Sequence, residues 1–204
     1  MICYKYKFIF IHVPKNAGTS VRKAIRKHLR TRPQKLRDTL GRPFASMSYH
    51  HKKYPPHFAG HEYQDALGDA VFDSYRRFAV VRNPWDWHVS LYAYMQQDAK
   101  HSQHDIVRDM DFGDYVRWRC AEDPTGQLPY IQDRDGKICT TDLARFENVA
   151  TEFNAFAKSV GLDEQLPHRN KSEHKPYRDY YDDRTIQMIA DLSQDDIKTF
   201  DYSF

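Results

Sequence analysis

Two stretches of the chain repeat one pattern of apolar and polar positions. A mostly apolar run with β-branched residues, Phe8 to Val13, stops at Pro14, and from Thr19 an amphipathic pattern begins with Val21, Ala24, Ile25 and Leu29 on one face. The spacing predicts a strand over Phe8–Val13, a tight loop, and a helix over Thr19–Arg30. The pattern recurs at Phe78–Val81, a short buried strand, followed by Asn83 and Pro84 and a helix over Pro84–Gln97. Asn83 suits an N-cap and Pro84 the first helical position. Further helices are expected over Val149–Val160, with Val149, Phe153, Phe156 and Val160 at core spacing, and over Arg184–Leu192. Further strands are expected over Ile138–Asp142 and in a short piece ending near Ala59. Strands alternating with helices predict an α/β domain spanning residues 1–204, its central parallel sheet covered by helices on both faces. Ligands in such a fold bind at the carboxyl ends of the strands, where both loops lie.

The first loop carries chemistry. In Phe8-Ile-Phe-Ile-His-Val-Pro-Lys-Asn-Ala-Gly-Thr-Ser20 the turn holds a lysine, a glycine and two hydroxyls ahead of a helix. Backbone N–H groups at such a turn face an anion seated on the helix N-terminus. Lys15 adds charge, Thr19 and Ser20 add donors, and a phosphate-like ligand is expected. The loop is not a Walker A loop, whose lysine follows the second glycine directly; here Lys15 precedes Gly18 by three residues. In the second stretch Arg82 ends the strand, Asp86 suits the positive end of the helix, and Ser90 lies about two turns beyond Asn83 on the same face. A guanidinium and a hydroxyl converging there could hold a second phosphate.

These motifs together resemble the sulfotransferases that use 3′-phosphoadenosine 5′-phosphosulfate (PAPS). Pro14-Lys-Asn-Ala-Gly-Thr-Ser20 looks like the family's 5′-phosphosulfate loop. Arg82-Asn-Pro-Trp-Asp-Trp-His-Val-Ser-Leu-Tyr92 looks like its 3′-phosphate motif, departing at Trp87, where arginine is common. Leu166 to Tyr177, Tyr180-Tyr181, and Asp195 to Phe204 are also similar to bacterial members, of the type related to carbohydrate 2-O-sulfotransferases. The resemblance implies a P-loop-like three-layer fold and PAPS as donor, with its product adenosine 3′,5′-bisphosphate (PAP). It implies Lys15, Asn16, Ala17, Gly18, Thr19 and Ser20 at the 5′ end, Lys15 also acting on the leaving oxygen, and Arg82 and Ser90 at the 3′-phosphate. The acceptor would be a hydroxyl, on a saccharide by this analogy.

An acceptor hydroxyl needs a general base. The 2-O-sulfotransferases carry a Gly-His with histidine in that role, which points to His61 of Phe58-Ala-Gly-His-Glu-Tyr63, expected at a strand end. Glu62 is the alternative, since other sulfotransferases use glutamate. His50, His51 and His57 line the acceptor cleft or are simply exposed. Tyr54-Pro-Pro breaks any helix among these histidines, and no metal site is expected. Arg169, Asn170, Lys171 and Ser172 form either a surface loop or a flap over the nucleotide.

Composition changes the picture little. A chain of 204 residues carries a real core, and a net charge of +3 does not imply nucleic acid. Basic residues crowd between Arg22 and Arg42 against Asp38 alone, as either a solvated face or a surface for an acidic acceptor. Cys3, Cys120 and Cys139 are too scattered for a disulfide framework or zinc site. No apolar run reaches membrane-span length, so stable membrane insertion is not expected; PAPS is made in the cytosol, and the cytoplasm is the expected compartment. Two other functions stay open at this level. One is a small-molecule kinase with a distorted phosphate loop, against which stand the displaced lysine and the lack of an acidic Walker B strand. The other is a non-catalytic nucleotide binder. Acceptor identity and oligomeric state are not legible.

Overall fold

A computed structural model describes residues 1–29, 54–166 and 175–204. Its strands are β1 (Ile2–Cys3), β2 (Phe8–Ile11), β3 (Arg76–Val81) and β4 (Asp142–Arg145). Its helices are α1 (Gly18–Ile25), α2 (Gly60–Leu67), α3 (Asp69–Ser74), α4 (Pro84–Gln97), α5 (His104–Val107), α6 (Phe112–Glu122), α7 (Val149–Ser159), α8 (Asp183–Leu192) and α9 (Gln194–Phe200). The chain divides into two compact units, Met1–Val81 with Pro129–Arg169, and Arg82–Leu128 with Asn170–Phe204. No helix among the described residues is long and apolar enough to cross a membrane.

The first unit holds the sheet, in the order β1-β2-β3-β4. β2 pairs with β3 and β3 with β4 in parallel, while β1 lies antiparallel to β2. This is the α/β architecture the sequence predicts, with a mostly parallel sheet and flanking helices. All four residues of β2 are buried, as a strand covered on both faces requires. One face packs Phe8, Phe10, Phe78, Val80 and Ala144 against Val21, Ala24 and Ile25 of α1 and Phe153, Phe156 and Ala157 of α7. Phe156 stacks on Phe78 with centroids 4.5 Å apart and meets Phe8 edge-on at 5.4 Å. The apolar stripes expected for α1 and α7 therefore make this core. α1 tightens to a 3-10 turn at Arg26–His28, and the basic residues from Arg30 to Arg42 lie outside the described residues.

Two strand expectations are corrected. β4 begins at Asp142 rather than ending there. Its register is fixed by Arg76 of β3, whose guanidinium binds both oxygens of Asp142. Ile138 is instead half exposed and bridges Gln132 across a turn at Gly136, which has φ of +75°. The strand expected to end near Ala59 is absent, because Gly60 opens α2. Glu62, three residues after Ala59, reaches back to accept the Ala59 N–H at 2.6 Å, which favours a helix start over strand.

The second unit is helical and built on aromatic rings. Trp85, Trp87 and Tyr92 of α4, Phe112 and Tyr115 of α6, and Ile189 of α8 form its core, with Tyr180, Tyr181 and Phe204 packed against it. The Tyr181 hydroxyl donates to Trp85 O at 2.9 Å, and the Trp85 indole N–H donates to Ile186 O at 3.0 Å. α4 runs over the predicted Pro84–Gln97, capped by Asn83, whose side chain accepts the Trp85 N–H at 3.1 Å. α6 is not among the helices the sequence predicts. Its signal was Asp111, which accepts the Asp114 N–H at 2.7 Å, ahead of Phe112, Tyr115, Val116 and Arg119 at helical spacing.

Replacing Phe156 with alanine should remove the ring that Phe78 and Phe8 pack upon and destabilise the protein by about 3–5 kcal/mol. Urea unfolding measures this; a loss under about 1 kcal/mol would contradict the packing described.

Candidate functional site

The loop after β2 is held in an unusual backbone path. Lys15 and Ala17 have positive φ, 61° and 55°, while Asn16 between them does not. A left-handed conformation costs a non-glycine residue roughly 1–2 kcal/mol, so the surroundings must impose it. Asn16 is one anchor: it is 1% exposed, and its amide donates to Val80 O of β3 at 2.8 Å. The first turn of α1 is the other, since the N–H groups of Ser20 and Val21 both return to Ala17 O, at 2.9 and 3.0 Å. Alternating handedness along successive residues makes a concave row of N–H groups suited to an anion. The row leads into a helix N-terminus, where the first N–H groups lack intrahelical partners.

Gly18 opens α1 because nothing larger fits. A Cβ there would lie 1.6 Å from His12 Nε2, so the imidazole of His12 occupies the space a side chain would need. Burial, with His57 and Arg22 nearby, lowers the His12 pKa to about 3. The ring is thus neutral and adds no charge to the loop. His57, itself at φ of 66°, sits with its ring centroid 4.3 Å from that of His12. Its Nδ1 lies 3.0 Å from His12 O. A carbonyl only accepts, so His57 carries its proton on Nδ1 and presents Nε2 as a lone pair. Sequence reasoning gave His12 no role; the signal was its place at the end of an apolar strand.

His61 is exposed in the first turn of α2, not at a strand end. Gly60 before it serves close approach rather than flexibility, since a Cβ would meet Cys139 Sγ at 2.4 Å and Gln132 O at 2.6 Å. Glu62 is occupied by the Ala59 N–H. Of the two base candidates, His61 is thus the one not engaged in capping this helix. His50, His51 and Arg169 to Ser172 lie outside the described residues.

In the second unit Arg82, the residue that follows β3 in the chain, is 4% exposed. Its Nε donates to Asp86 Oδ2 at 2.7 Å, which fixes the plane of the guanidinium. Its backbone is held by Gln127, which accepts the Arg82 N–H at 2.9 Å and donates to Arg82 O at 2.8 Å. Asp86 and Ser90 are four residues apart and so share a helix face. Ser90 is 1% exposed and its hydroxyl has no hydrogen-bond partner among the described residues. A buried hydroxyl left so is destabilising, and an oxyanion ligand would satisfy it. Trp87 is 2% exposed and packs into the aromatic core. That position therefore supplies packing here.

Arg119 and His88 were not singled out in the sequence. The Arg119 guanidinium is buried, pairs with Asp123 and lies 6.0 Å from the Trp87 ring. His88 is fully buried, and burial beside Arg119 lowers its pKa to about 3.

The model of the sulfotransferase family matches residues 1–203. An uncharacterized protein of Archaeoglobus fulgidus is 26% identical over 117 residues, covering 56% of this chain and 92% of that protein. No solved structure matches the chain.

The buried histidine makes stability depend on pH. Folding lowers the His88 pKa from its ordinary value of 6.5 to about 3, so between those values the unfolded chain binds the proton and the folded one does not. Stability is full above 6.5 and falls as pH drops toward 3. His88→Phe should remove on the order of 2 kcal/mol from the loss seen between pH 7 and 4.5, by urea midpoints. An unchanged loss would contradict the neutral, buried state of His88.

Proposed function

We propose that this chain, which belongs to the sulfotransferase family, takes its sulfuryl group from PAPS and delivers it to a hydroxyl of a carbohydrate. Membership of the family makes the chain a transferase of sulfuryl groups; donor and acceptor are the proposal. The observation that carries it is the buried hydroxyl of Ser90, without a hydrogen-bond partner among the described residues, on the helix face of Asp86, which orients Arg82. A cation and an orphaned donor on one face fit a phosphate ester, and PAPS differs from other adenylates by its 3′-phosphate. The loop of Lys15, Asn16, Ala17, Gly18, Thr19 and Ser20 suits the 5′ end.

When bound, PAPS supplies an SO3 unit on a phosphate oxygen and leaves as PAP. The chain's residues supply position and charge. Lys15 would stabilise the negative charge that grows on the oxygen bridging sulfur and phosphorus as that bond breaks. His61 would take the proton of the attacking hydroxyl on a ring nitrogen as its oxygen bonds to sulfur. Glu62 is set aside as the base because its carboxylate caps α2.

PAP should raise the melting temperature of the protein more than ADP or AMP at equal concentration. Arg82→Ala should abolish most of that preference. Equal shifts for PAP and AMP in the wild-type protein would sink the two-phosphate reading. In turnover of radiolabelled PAPS with an oligosaccharide panel, His61→Ala should lower kcat by about 10²–10⁴ and leave PAP affinity within about twofold. A near-normal kcat would remove His61 from the base role.

A further inference from the structure

Arg82 is held by Asp86 and by Gln127, and the Gln127 contacts lead away from it into the fold. Asp86 holds the guanidinium. Gln127 holds the backbone, and does so as a strand neighbour would, one amide accepting the N–H and donating to the carbonyl of the same residue. Gln127 is fully buried. Its own backbone N–H and that of Leu128 donate to Asp196 of α9, at 2.7 Å to Oδ2 and 2.7 Å to Oδ1. Asp196 is 3% exposed. The approach is close at Gly126, where a Cβ would lie 3.0 Å from Asp196 Oδ2 and crowd the carboxylate. A buried carboxylate therefore grips the loop Gly126–Leu128, and the loop's one buried amide grips the backbone of Arg82.

Stability does not ask for this arrangement. Burying a carboxylate and an amide has a desolvation cost that their hydrogen bonds only offset. Replacing buried polar groups by apolar residues of similar volume is often neutral or stabilising. The chain of polar contacts ends on one residue, the arginine paired with Asp86, whose helix face also carries Ser90. Geometry at a charged contact is sensitive, and a displacement of about 1 Å can cost 10²-fold.

We propose that Gln127 and Asp196 are positioning residues for the 3′-phosphate contact: Asp196 sets the loop, and Gln127 sets the Arg82 backbone from which the guanidinium reaches the phosphate. The inference rests on the reading of Arg82 as a ligand of the 3′-phosphate. Neither residue touches the nucleotide, and both act on the discrimination between adenylates with and without that group. A purely structural role would weaken all adenylates alike.

The test compares dissociation constants of PAP and AMP, which differ only in the 3′-phosphate, by calorimetry on the full chain. Wild type, Arg82→Ala, Gln127→Leu and the double variant form a cycle. Gln127→Leu should lower the preference for PAP over AMP roughly tenfold and leave AMP affinity within about twofold. In the Arg82→Ala background it should change the preference no further. Asp196→Asn should move the preference in the same direction. If Gln127→Leu does not fold, Gln127→Glu serves, because it keeps an acceptor for the Arg82 N–H and loses the donor to Arg82 O. A wild-type preference in the Gln127 variant, an equal loss of PAP and AMP, or a further loss on top of Arg82→Ala would each overturn the proposal. A wild-type protein that binds PAP and AMP equally would overturn the 3′-phosphate reading itself. A preference lost in Arg82→Ala but intact in the Gln127 variant overturns the positioning role alone.

Discussion

The buried hydrogen bond from the Asn16 amide to Val80 O ties the loop after β2 to the end of β3. It works because the two strands are parallel and in register, with Phe10 beside Phe78 and Ile11 beside Ala79. Parallel pairing brings the carboxyl ends of both strands to one edge of the sheet, and the apolar faces hold them there. With Asn16 fixed, Lys15 and Ala17 are held in left-handed conformations that neither would adopt alone. The loop's concave shape is therefore a consequence of sheet packing. It is not a property of the loop sequence in isolation. His12 completes it from the strand side by filling the space that a Cβ at Gly18 would need.

The second unit reaches a similar end with different materials. Here the charged residue comes just after the strand, and helical capping and polar tethers do the holding. Asn83 caps α4, Asp86 orients Arg82, and Gln127 closes its backbone. The aromatic core of Trp85, Tyr115 and Tyr181 gives those tethers a rigid frame. Trp87 belongs to that frame.

The sequence was most legible where one local rule acts. The Asn-Pro cap placed α4 to the residue, because cap chemistry is contained in four adjacent positions. The stripe of Phe153 and Phe156 placed α7. It was least legible where partners are distant. β4 starts at Asp142 because Arg76 selects that register from 66 residues away, while the β-branched residues from Ile138 to Thr141 suggested a strand four residues early. The helix at Gly60 was missed because the cap is completed by Glu62, read as a possible base. In the site, Lys15, Asn16, Gly18, Arg82 and Ser90 were named from motif order. The reasons for Gly18 and Gly60, namely the His12 ring and the Cys139 thiol, are tertiary contacts with no local signature. Gln127 and Asp196 were invisible for the same reason, being joined to Arg82 only by folding.

The most direct measurement is a crystal structure of the protein with PAP. The account predicts the 3′-phosphate within hydrogen-bond distance of the Arg82 guanidinium and Ser90 Oγ, and the 5′-phosphate on the N–H groups of Asn16 to Thr19. A nucleotide whose 3′-phosphate touches neither Arg82 nor Ser90 would contradict it.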